Sequence, residues 1–356
     1  MIRCLVLLAA LAACTRPAEE RALAELEVGH AAISDASVSV AGALAAVREL
    51  RDHRLELWGQ APVLDVELVL GSTAAGEWEL LFRNALPDAT LTVDGTVYTR
   101  DPDEHPTVAR FHVPLAGGTH TLTLAPPDAT ILERYRVAAM ADIQTALPEV
   151  DDVFRAISAI PDVRFVVSMG DITQRAETEE YDLFERQLTE LRVPFFTTLG
   201  NHELWAPPER FFDRFGRASF QFSFKGAFYT FVDSGDGALD PLVEDWLRDW
   251  LATGHDQTNI FLTHFPPIDP IGVRYGAMRS VRDGNRLLSQ LADGRVDLTL
   301  YGHIHTYEAF ENAGIPAYIS GGGGADPMKG DGIDRHFLVV EVLPAGVGGV
   351  ELHRVD

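Results

Sequence analysis

Apolar residues set two different rhythms along this chain. From about Ser34 to Ala125 they alternate with polar ones in short runs, at residues 38–40, 55–58, 64–70, 78–82, 91–93, 111–113 and 119–124. A period of two places apolar side chains on one face of a strand. Turn-forming pairs separate several runs, Gly71-Ser72, Asp94-Gly95 and Gly117-Gly118. Short strands punctuated in this way predict an antiparallel sandwich. Residues 41–51 fit a helix as well as a strand, so the pattern leaves them open.

After Pro126-Pro127 the rhythm changes. Continuous apolar runs at 136–140, 163–169, 194–199, 259–263 and 296–301 read as buried strands. Amphipathic stretches at 150–159, 179–191, 242–251 and 280–291 lie between several of them. Tyr181, Phe184, Leu188 and Leu191, for example, recur at three- and four-residue spacing, as on one face of a helix. Strands alternating with helices predict an α/β domain. Residues 337–343 and 347–352 read as a closing hairpin. The expected organisation is a leader at 1–14, a polar Ala/Glu-rich tether or short helix at 15–33, a β-sandwich-like domain at 34–132 and an α/β domain at 133–356.

Charge narrows the choice of partners. The 356 residues carry 29 basic and 53 acidic side chains, a net charge of −24. Such a chain repels nucleic acid and anionic lipid over any large surface. An anionic substrate would need a local positive charge. The first fourteen residues, MIRCLVLLAALAAC, have the form of an export signal: Arg3, then an apolar run too short to span a bilayer. Their end, Leu11-Ala12-Ala13-Cys14, resembles the bacterial lipoprotein cleavage box, which implies lipidation of Cys14. An ordinary signal peptide cut near Ala13, or an uncut anchor, is the plainer alternative. Cys4 would leave with the signal, so no disulfide is expected. Thr15 stands where an Asp would suggest inner-membrane retention. The expectation is an exported protein, lipid-anchored at the cell envelope, at the outer membrane or in the periplasm, whose membrane contact is its acyl chains.

The chemistry lies at the strand ends. Five apolar runs finish in side chains able to hold a metal: Asp142 and Gln144 in MADIQ, Asp171 in MGDITQ, Asn201 and His202 in LGNHE, His264 in LTHFP, and His303 and His305 in YGHIHTYE. In open α/β sheets, ligands collect beyond the carboxyl ends of strands, so neighbouring strands would bring these residues to one crevice. Imidazole and carboxylate without thiolate suit Zn, Mn or Fe, with Mg less favoured. Two divalent ions that share a carboxylate could clamp a phosphoryl group and supply the missing positive charge. Singly, each candidate has a plain alternative: a helix cap for Asp171, a turn for Asn201, a core histidine for His264. Together they would have to coincide five times in order.

The set resembles the calcineurin-like metallophosphoesterase family, over about Arg136 to the C-terminus. Blocks of the form D-x-Q, G-D, G-N-H-E, H and G-H-x-H follow in the family's order, with 29, 30, 63 and 39 residues from Asp142 to Asp171, Asn201, His264 and His303. The resemblance implies a four-layer α/β/β/α sandwich and two divalent metal ions. It implies that Asp171 bridges them, that Asp142, Gln144 and His305 complete one site, and that Asn201, His264 and His303 complete the other. It implies that His202 serves as acid or transition-state stabiliser. The function implied is hydrolysis of a phosphomonoester or phosphodiester by attack of a bridging hydroxide, without a phospho-enzyme.

Two departures stand out. The first block commonly reads D-x-H but has Gln144 here, and an Asp that commonly orients the catalytic histidine is Gln174 here. A neutral amide ligand implies a looser first site or a harder ion. The Gln174 carbonyl would hold the His202 imidazole but stabilise its charge less than a carboxylate. Purple acid phosphatases share features like GHIHTYE but place a tyrosine ligand where Gln174 stands, which argues against iron-tyrosinate chemistry. Trp205, Arg274, Tyr275 and Tyr307 lie beside the motifs and are candidate substrate contacts. The run 321–324, all glycine, reads as a tight turn at the rim of the site in preference to a phosphate cradle. The rival readings are a binding or structural envelope lipoprotein with a degenerate metallophosphoesterase domain, which Gln144 and Gln174 support, and attack on a phospholipid or cyclic nucleotide, which no motif specifies. No motif names a protein partner for the β domain.

Overall fold

The computed structural model describes residues 18–102 and 105–355. The expected leader, Cys14 and the first residues of the tether lie outside them. The N-terminal region is a pair of facing sheets. One has six strands in the order His30–Ile33, Ala36–Val40, Leu64–Leu70, Gly118–Ala125, Thr90–Val93, Thr96–Tyr98. The other has four, Ala45–Arg51, Arg54–Gly59, Gly76–Arg83 and Val108–Leu115. Leu64–Leu70 alternates buried and exposed positions along its whole length, as a strand with one wet face should. Leu57, Leu68, Trp78, Phe82, Phe111 and Leu122 fill the space between the sheets. The open stretch 41–51 becomes one 3-10 turn, with Gly42 at φ 63°, and then the strand Ala45–Arg51. The expected antiparallel pairing fails at one place: Arg54–Gly59 runs parallel to Gly76–Arg83.

The second region has four layers. A five-stranded sheet, ordered Phe195–Thr197, Val163–Ser168, Tyr135–Met140, His336–Leu343, Gly346–Arg354, faces a six-stranded sheet. The latter is ordered Phe220–Phe224, Ala227–Val232, Thr258–Thr263, Leu298–Tyr301, Ile315–Ser320, Tyr307–Asn312. The central strands are apolar throughout because both faces are covered. In Tyr135–Met140, Val137 and Ala139 face the opposing sheet while Ala138 and Met140 join the core under the outer helices. Aromatic rings fill the layer between the sheets. Phe165 lies 5.2–5.7 Å from Phe196, Phe222, Phe224 and Tyr229. The Tyr135 and Tyr229 hydroxyls, buried there, bond each other at 2.8 Å.

The helices Asp151–Ser158, Thr178–Gln187 and Glu209–Phe215 cover the first sheet; Pro241–Gly254 and Val281–Asp293 cover the second. The fold class is thus the expected α/β sandwich preceded by a β region. The pattern reading assigned no element to the hairpins Phe220–Phe224/Ala227–Val232 and Tyr307–Asn312/Ile315–Ser320, nor to the helix Glu209–Phe215. Each is short, and its role is set by the sheet it extends.

Side chains fasten the β region to the α/β region. The Asn84 amide donates to the carbonyls of Gly59 and Phe195 and accepts the Phe195 N–H, all within 2.8 Å. Gln60 does the same for Arg217. Arg48 donates to both Glu185 carboxylate oxygens and lies 4.1 Å over the Trp58 ring. The tether is not a free spacer in its described part. Helix Ala18–Glu25 inserts two buried charges into the α/β region. Arg21 Nε donates to Asp233 at 2.7 Å, and Glu25 accepts the Ser219 N–H at 2.9 Å and Arg217 Nε at 3.3 Å.

Burial pushes the Glu25 carboxyl up to about 7, against the pull of Arg217. The folded chain therefore holds a proton that the unfolded chain releases at the ordinary carboxylate value. The Glu25 contribution favours folding at acid pH and is lost as pH rises through about 7. Glu25→Gln removes this dependence. Between pH 5 and 8 the stability of the variant should rise relative to the parent by about 2–3 kcal/mol, read from urea unfolding at both pH values. A gap that does not change with pH would refute the assignment.

Candidate metal centre

The strands of both sheets end at one crevice, and unusual backbone turns aim their side chains into it. Asp142, Gln144, Asp171 and His303 all have positive φ, at 63°, 45°, 55° and 68°. Left-handed backbone costs a non-glycine residue roughly 1 kcal/mol or more, and it collects where function holds it. Neighbouring contacts hold these turns in place. Asp142 N–H and Ile143 N–H bond to Gly170 and Asp171 carbonyls, at 3.2 and 2.9 Å. Two glycines leave room for the carboxylates. A Cβ at Gly200 would come within 2.2 Å of Asp171 Oδ1, and one at Gly321 within 2.9 Å of Asp142 Oδ2. The glycine run 321–324 therefore packs against Asp142; Gly323 N–H bonds the Ala141 carbonyl at 2.8 Å.

Glu203 holds the floor of the crevice. Its buried carboxylate accepts the N–H groups of Asp171, Gly200 and Thr173 at 2.9, 2.7 and 3.1 Å, and the Thr173 hydroxyl at 3.0 Å. One side chain thus ties the end of Val163–Ser168 to the end of Phe195–Thr197. Sequence reasoning gave it no role, although it is the last letter of G-N-H-E. Burial, then the Asp171 charge, raises its carboxyl above the ordinary value despite the four donors.

The expected ligands converge. Asp142, Asp171 and His305 each bring one ligand atom within 4.8 Å of the others. Gln144 Nε2 lies 2.7 Å from Asp171 Oδ2 and 3.1 Å from His305 Nε2. On the other side of Asp171, His264 Nε2 is 3.3 Å from the same Oδ2 and 3.0 Å from Asn201 Oδ1. His303 Nδ1 is 2.9 Å from Asn201 Oδ1. Asp171 Oδ2 thus stands between two groups, Asp142, Gln144 and His305 on one side and Asn201, His264 and His303 on the other.

The outer ring nitrogens set the chemistry of the inner ones. His264 Nδ1, His303 Nε2 and His305 Nδ1 each donate to a backbone carbonyl, of Met169, Tyr275 and Asp326, at 2.7–2.8 Å. Their other nitrogens therefore turn lone pairs inward, the arrangement of metal-ligating imidazoles. His303 Nδ1 and Asn201 Oδ1 meet as acceptor facing acceptor, His264 Nε2 joins them when that ring is neutral, and Asp142 Oδ1 is buried without a hydrogen-bond partner. Lone pairs crowded in this way call for cations, and the donor set of oxygen and imidazole nitrogen fits divalent ones. Gln144 fits once its amide is turned so that Oε1 takes the place of Nε2, an orientation fixed only by its neighbours.

Charge couples the same groups. Burial, then the Asp171 charge, holds the Asp142 carboxyl well above its ordinary range. Burial works against the Asp171 carboxylate too, but the charge and hydrogen bond of His264 outweigh it and hold the group below the usual range. Burial, followed by the charge of His264, pushes His303 down to about 3. Burial also lowers His305.

His202 stands apart from the ligands. Its Nδ1–H donates to a carbonyl at 2.7 Å, leaving Nε2 aimed inward, 4.0 Å from Asp171 Oδ2. That carbonyl belongs to the Gln174 backbone, not to its side chain as expected, so any residue at 174 could supply it. Tyr275 contributes through its backbone, while its ring is exposed and stacks with Arg274 at 4.7 Å. Tyr307 is not brought to the site; its ring packs beside Tyr318 and His336. Trp205 stacks on His202 at 6.3 Å. A cleft of about 620 Å³ opens beside Asn201 and His303, lined by Phe265, Val273, Met278, Asp236, Asp269 and Arg279 among others.

Comparison with known proteins places these residues in context. Residues 135–307 match the family profile described as calcineurin-like phosphoesterase. The chain is 24% identical over 170 residues to a probable cyclic nucleotide phosphodiesterase of Fibrobacter succinogenes, covering 46% of this chain and 65% of that protein. It is 26% identical over 159 residues to a probable glycerophosphodiester phosphodiesterase of Arcobacter nitrofigilis, covering 41% and 58%. The matches therefore span less than two thirds of the length of these curated relatives. Among solved structures, the purple acid phosphatase PPD1 of yellow lupin shares the fold, with a TM-score of 0.56 and 13% identity over 83% of this chain and 71% of that one.

Gln144 is the group most open to test. Replacing a neutral amide by imidazole should strengthen one side of the centre. In calorimetric titration with Mn or Zn, Gln144→His should tighten one binding step by about tenfold, within the range that changes around metal ligands produce. Equal affinities in parent and variant would show that Gln144 does not coordinate.

Proposed function

We propose, from the match of residues 135–307 to the calcineurin-like phosphoesterase profile, that the protein hydrolyses phosphoesters, diesters in preference, at a two-cation centre on the outside of the cytoplasmic membrane. One observation carries the reading: the inward lone pairs of His264, His303 and His305 meet Asp142 and Asp171 around a single shared carboxylate oxygen. The residues on either side of Asp171 Oδ2 would each hold one ion. When bound, the pair would polarise phosphoryl oxygens and lower the pKa of water towards neutrality.

The chain's own groups do the rest. Asn201 and the imidazoles fix where a phosphoryl group sits, and the buried walls exclude bulk water. Water adds to phosphorus as the P–O bond to the leaving alcohol breaks. His202 Nε2, held inward by the Gln174 carbonyl, is placed to give the departing oxygen its proton. The preference for diesters rests on the cleft. It has room for a second ester substituent, and among its lining residues the cation Arg279 is set against Asp236 and Asp269. With one cation and two acids the lining is net negative, which favours a singly charged diester over a dianionic monoester. The names of the two relatives agree with this preference.

The location proposed follows from the leader: Cys14 would carry the lipid and hold the protein at the envelope. An outer-membrane or periplasmic position is supported by Thr15 after the cysteine. The non-enzymatic rival has no structural feature in its favour, since His202 and the G-H-x-H pair are in place.

Two tests follow. With Mn, Zn or Fe supplied, His202→Ala should lower kcat by roughly 10²–10⁴ on an alkyl phosphodiester, whose leaving group needs a proton. It should lower kcat much less on bis-p-nitrophenyl phosphate, whose leaving group does not; equal losses would remove His202 from the acid role. Cys14→Ser should move the protein from the membrane fraction to the soluble one. A variant that still sediments with membranes would refute the lipid anchor.

A further inference from the structure

Three exposed apolar side chains stand around the mouth of the centre, each fixed to a different site histidine. Trp205 is 67% exposed and stacks on His202. Tyr275 is 75% exposed, and its carbonyl holds His303. Met328 is 45% exposed, and its N–H bonds the carbonyl of His305 at 2.9 Å. They come from three separate loops, so the rim is apolar on several sides of the opening. Ile268 and Val281, at 37% and 78% exposed, extend it along the loop that walls the cleft. Scattered exposed apolar groups are ordinary, but a ring of them around a polar site marks a contact surface.

The loop 266–282 is the basic side of the rim, whereas the Met328 loop has Asp326, Asp331 and Asp334 against Lys329. Between 266 and 282 the chain has three arginines, Arg274, Arg279 and Arg282, against one acid, Asp269. All three arginines lie at exposed positions. This is a local reversal in a chain of net charge −24. Tryptophan and tyrosine rings, with arginine beside them, suit the headgroup level of a bilayer, where one end of each group is apolar and the other wet. The overall acidity excludes a strongly anionic bilayer and leaves a zwitterionic one, whose phosphates the arginines can reach.

The path of the chain agrees. Cys14, the residue proposed to carry the lipid, lies four residues before Ala18, where the described part begins. The chain enters the described structure at Ala18, one helical turn before Arg21, which is bonded to Asp233 and paired with Asp236 in the cleft wall. A lipid on Cys14 would therefore join the described chain close to the same opening.

We propose that this rim docks on a zwitterionic phospholipid bilayer, and that the ester delivered to the centre is the phosphodiester of a lipid headgroup. The proposal rests on the phosphoester reading above and adds the substrate class. One P–O bond of the lipid is replaced by a P–OH from water, and the released alcohol takes the second hydrogen. Membrane contact is then made by the catalytic face as well as by an anchor, and the anchor fixes which face is turned down.

The test uses the full chain with vesicles of phosphatidylcholine and phosphatidylethanolamine. Phosphatidylcholine brominated in its acyl chains should quench part of the tryptophan emission, and Trp205→Phe should abolish that part. An anchor alone would give sedimentation with vesicles but no quenching of Trp205, and that result overturns the proposal. In turnover, Val281→Glu with Met328→Glu should lower hydrolysis of vesicle lipid at least about tenfold more than hydrolysis of bis-p-nitrophenyl phosphate in solution. Equal losses on the two substrates, or no lipid hydrolysis alongside active turnover of the soluble diester, would also overturn it. Failure on the soluble diester with Mn, Zn and Fe alike would instead sink the phosphoester reading itself.

Discussion

Two carboxylates are buried in one small space, and the rest of the α/β region answers to that fact. Asp142 and Asp171 are within about 1% of full burial and share a ligand cluster with His305. Like charges so placed cannot both remain ionised without compensation nearby. The structure shows its partial answer: His264 draws Asp171 below its usual range, while Asp142 stays far above its own. Backbone N–H groups of His202 and His303 supply one hydrogen bond to each carboxylate. What is left over, an acceptor without a donor and imidazole lone pairs facing an amide oxygen, is a demand for positive charge. The function proposed is the most economical way to meet it.

The fold meets the geometric side of the same demand. Apolar strands buried on both faces cannot themselves carry charged ligands, so the ligands lie one to four residues beyond each strand, where the chain turns. Left-handed backbone at Asp142, Gln144, Asp171 and His303 brings the turn within a single residue. Glu203 then converts two separate strand ends into one rigid floor, by accepting N–H groups from both. A site made of flexible loops could gather the same residues but not hold lone pairs against one another.

Much of this was legible in the sequence, for reasons that differ from element to element. The run 64–70 appears as the strand Leu64–Leu70, because one of its faces is wet and the alternation is unbroken. The ligand residues were legible because each follows an apolar run too regular to end in polar groups by accident. The parallel pair Arg54–Gly59 and Gly76–Arg83 was not legible, since strand direction leaves no trace in periodicity. The Gln174 contact was assigned to the wrong atom for a similar reason: a backbone carbonyl has no letter of its own. Tyr307 lies beside a motif in the chain, but it opens the strand Tyr307–Asn312 and its ring packs beside Tyr318 and His336. The tether, read as polar and Ala/Glu-rich, hides two buried charges whose partners lie about two hundred residues away.

Those buried charges give the N-terminal segment a part in the site. Asp233, which takes the Arg21 guanidinium, also accepts the Gly235 N–H at 2.7 Å, and Gly235 and Asp236 line the cleft. Glu25 meets the same strand end through Ser219, whose hydroxyl accepts the Asp233 N–H at 3.1 Å. A buried ion pair adds little net stability, because desolvation cancels most of the attraction. Its effect is on specificity of arrangement: the helix can dock in one register only, with both charges matched. The cleft wall is therefore shaped by residues more than a hundred positions before the stretch that matches the family profile. The N-terminal helix and the wall of the cleft are held in one fixed relation.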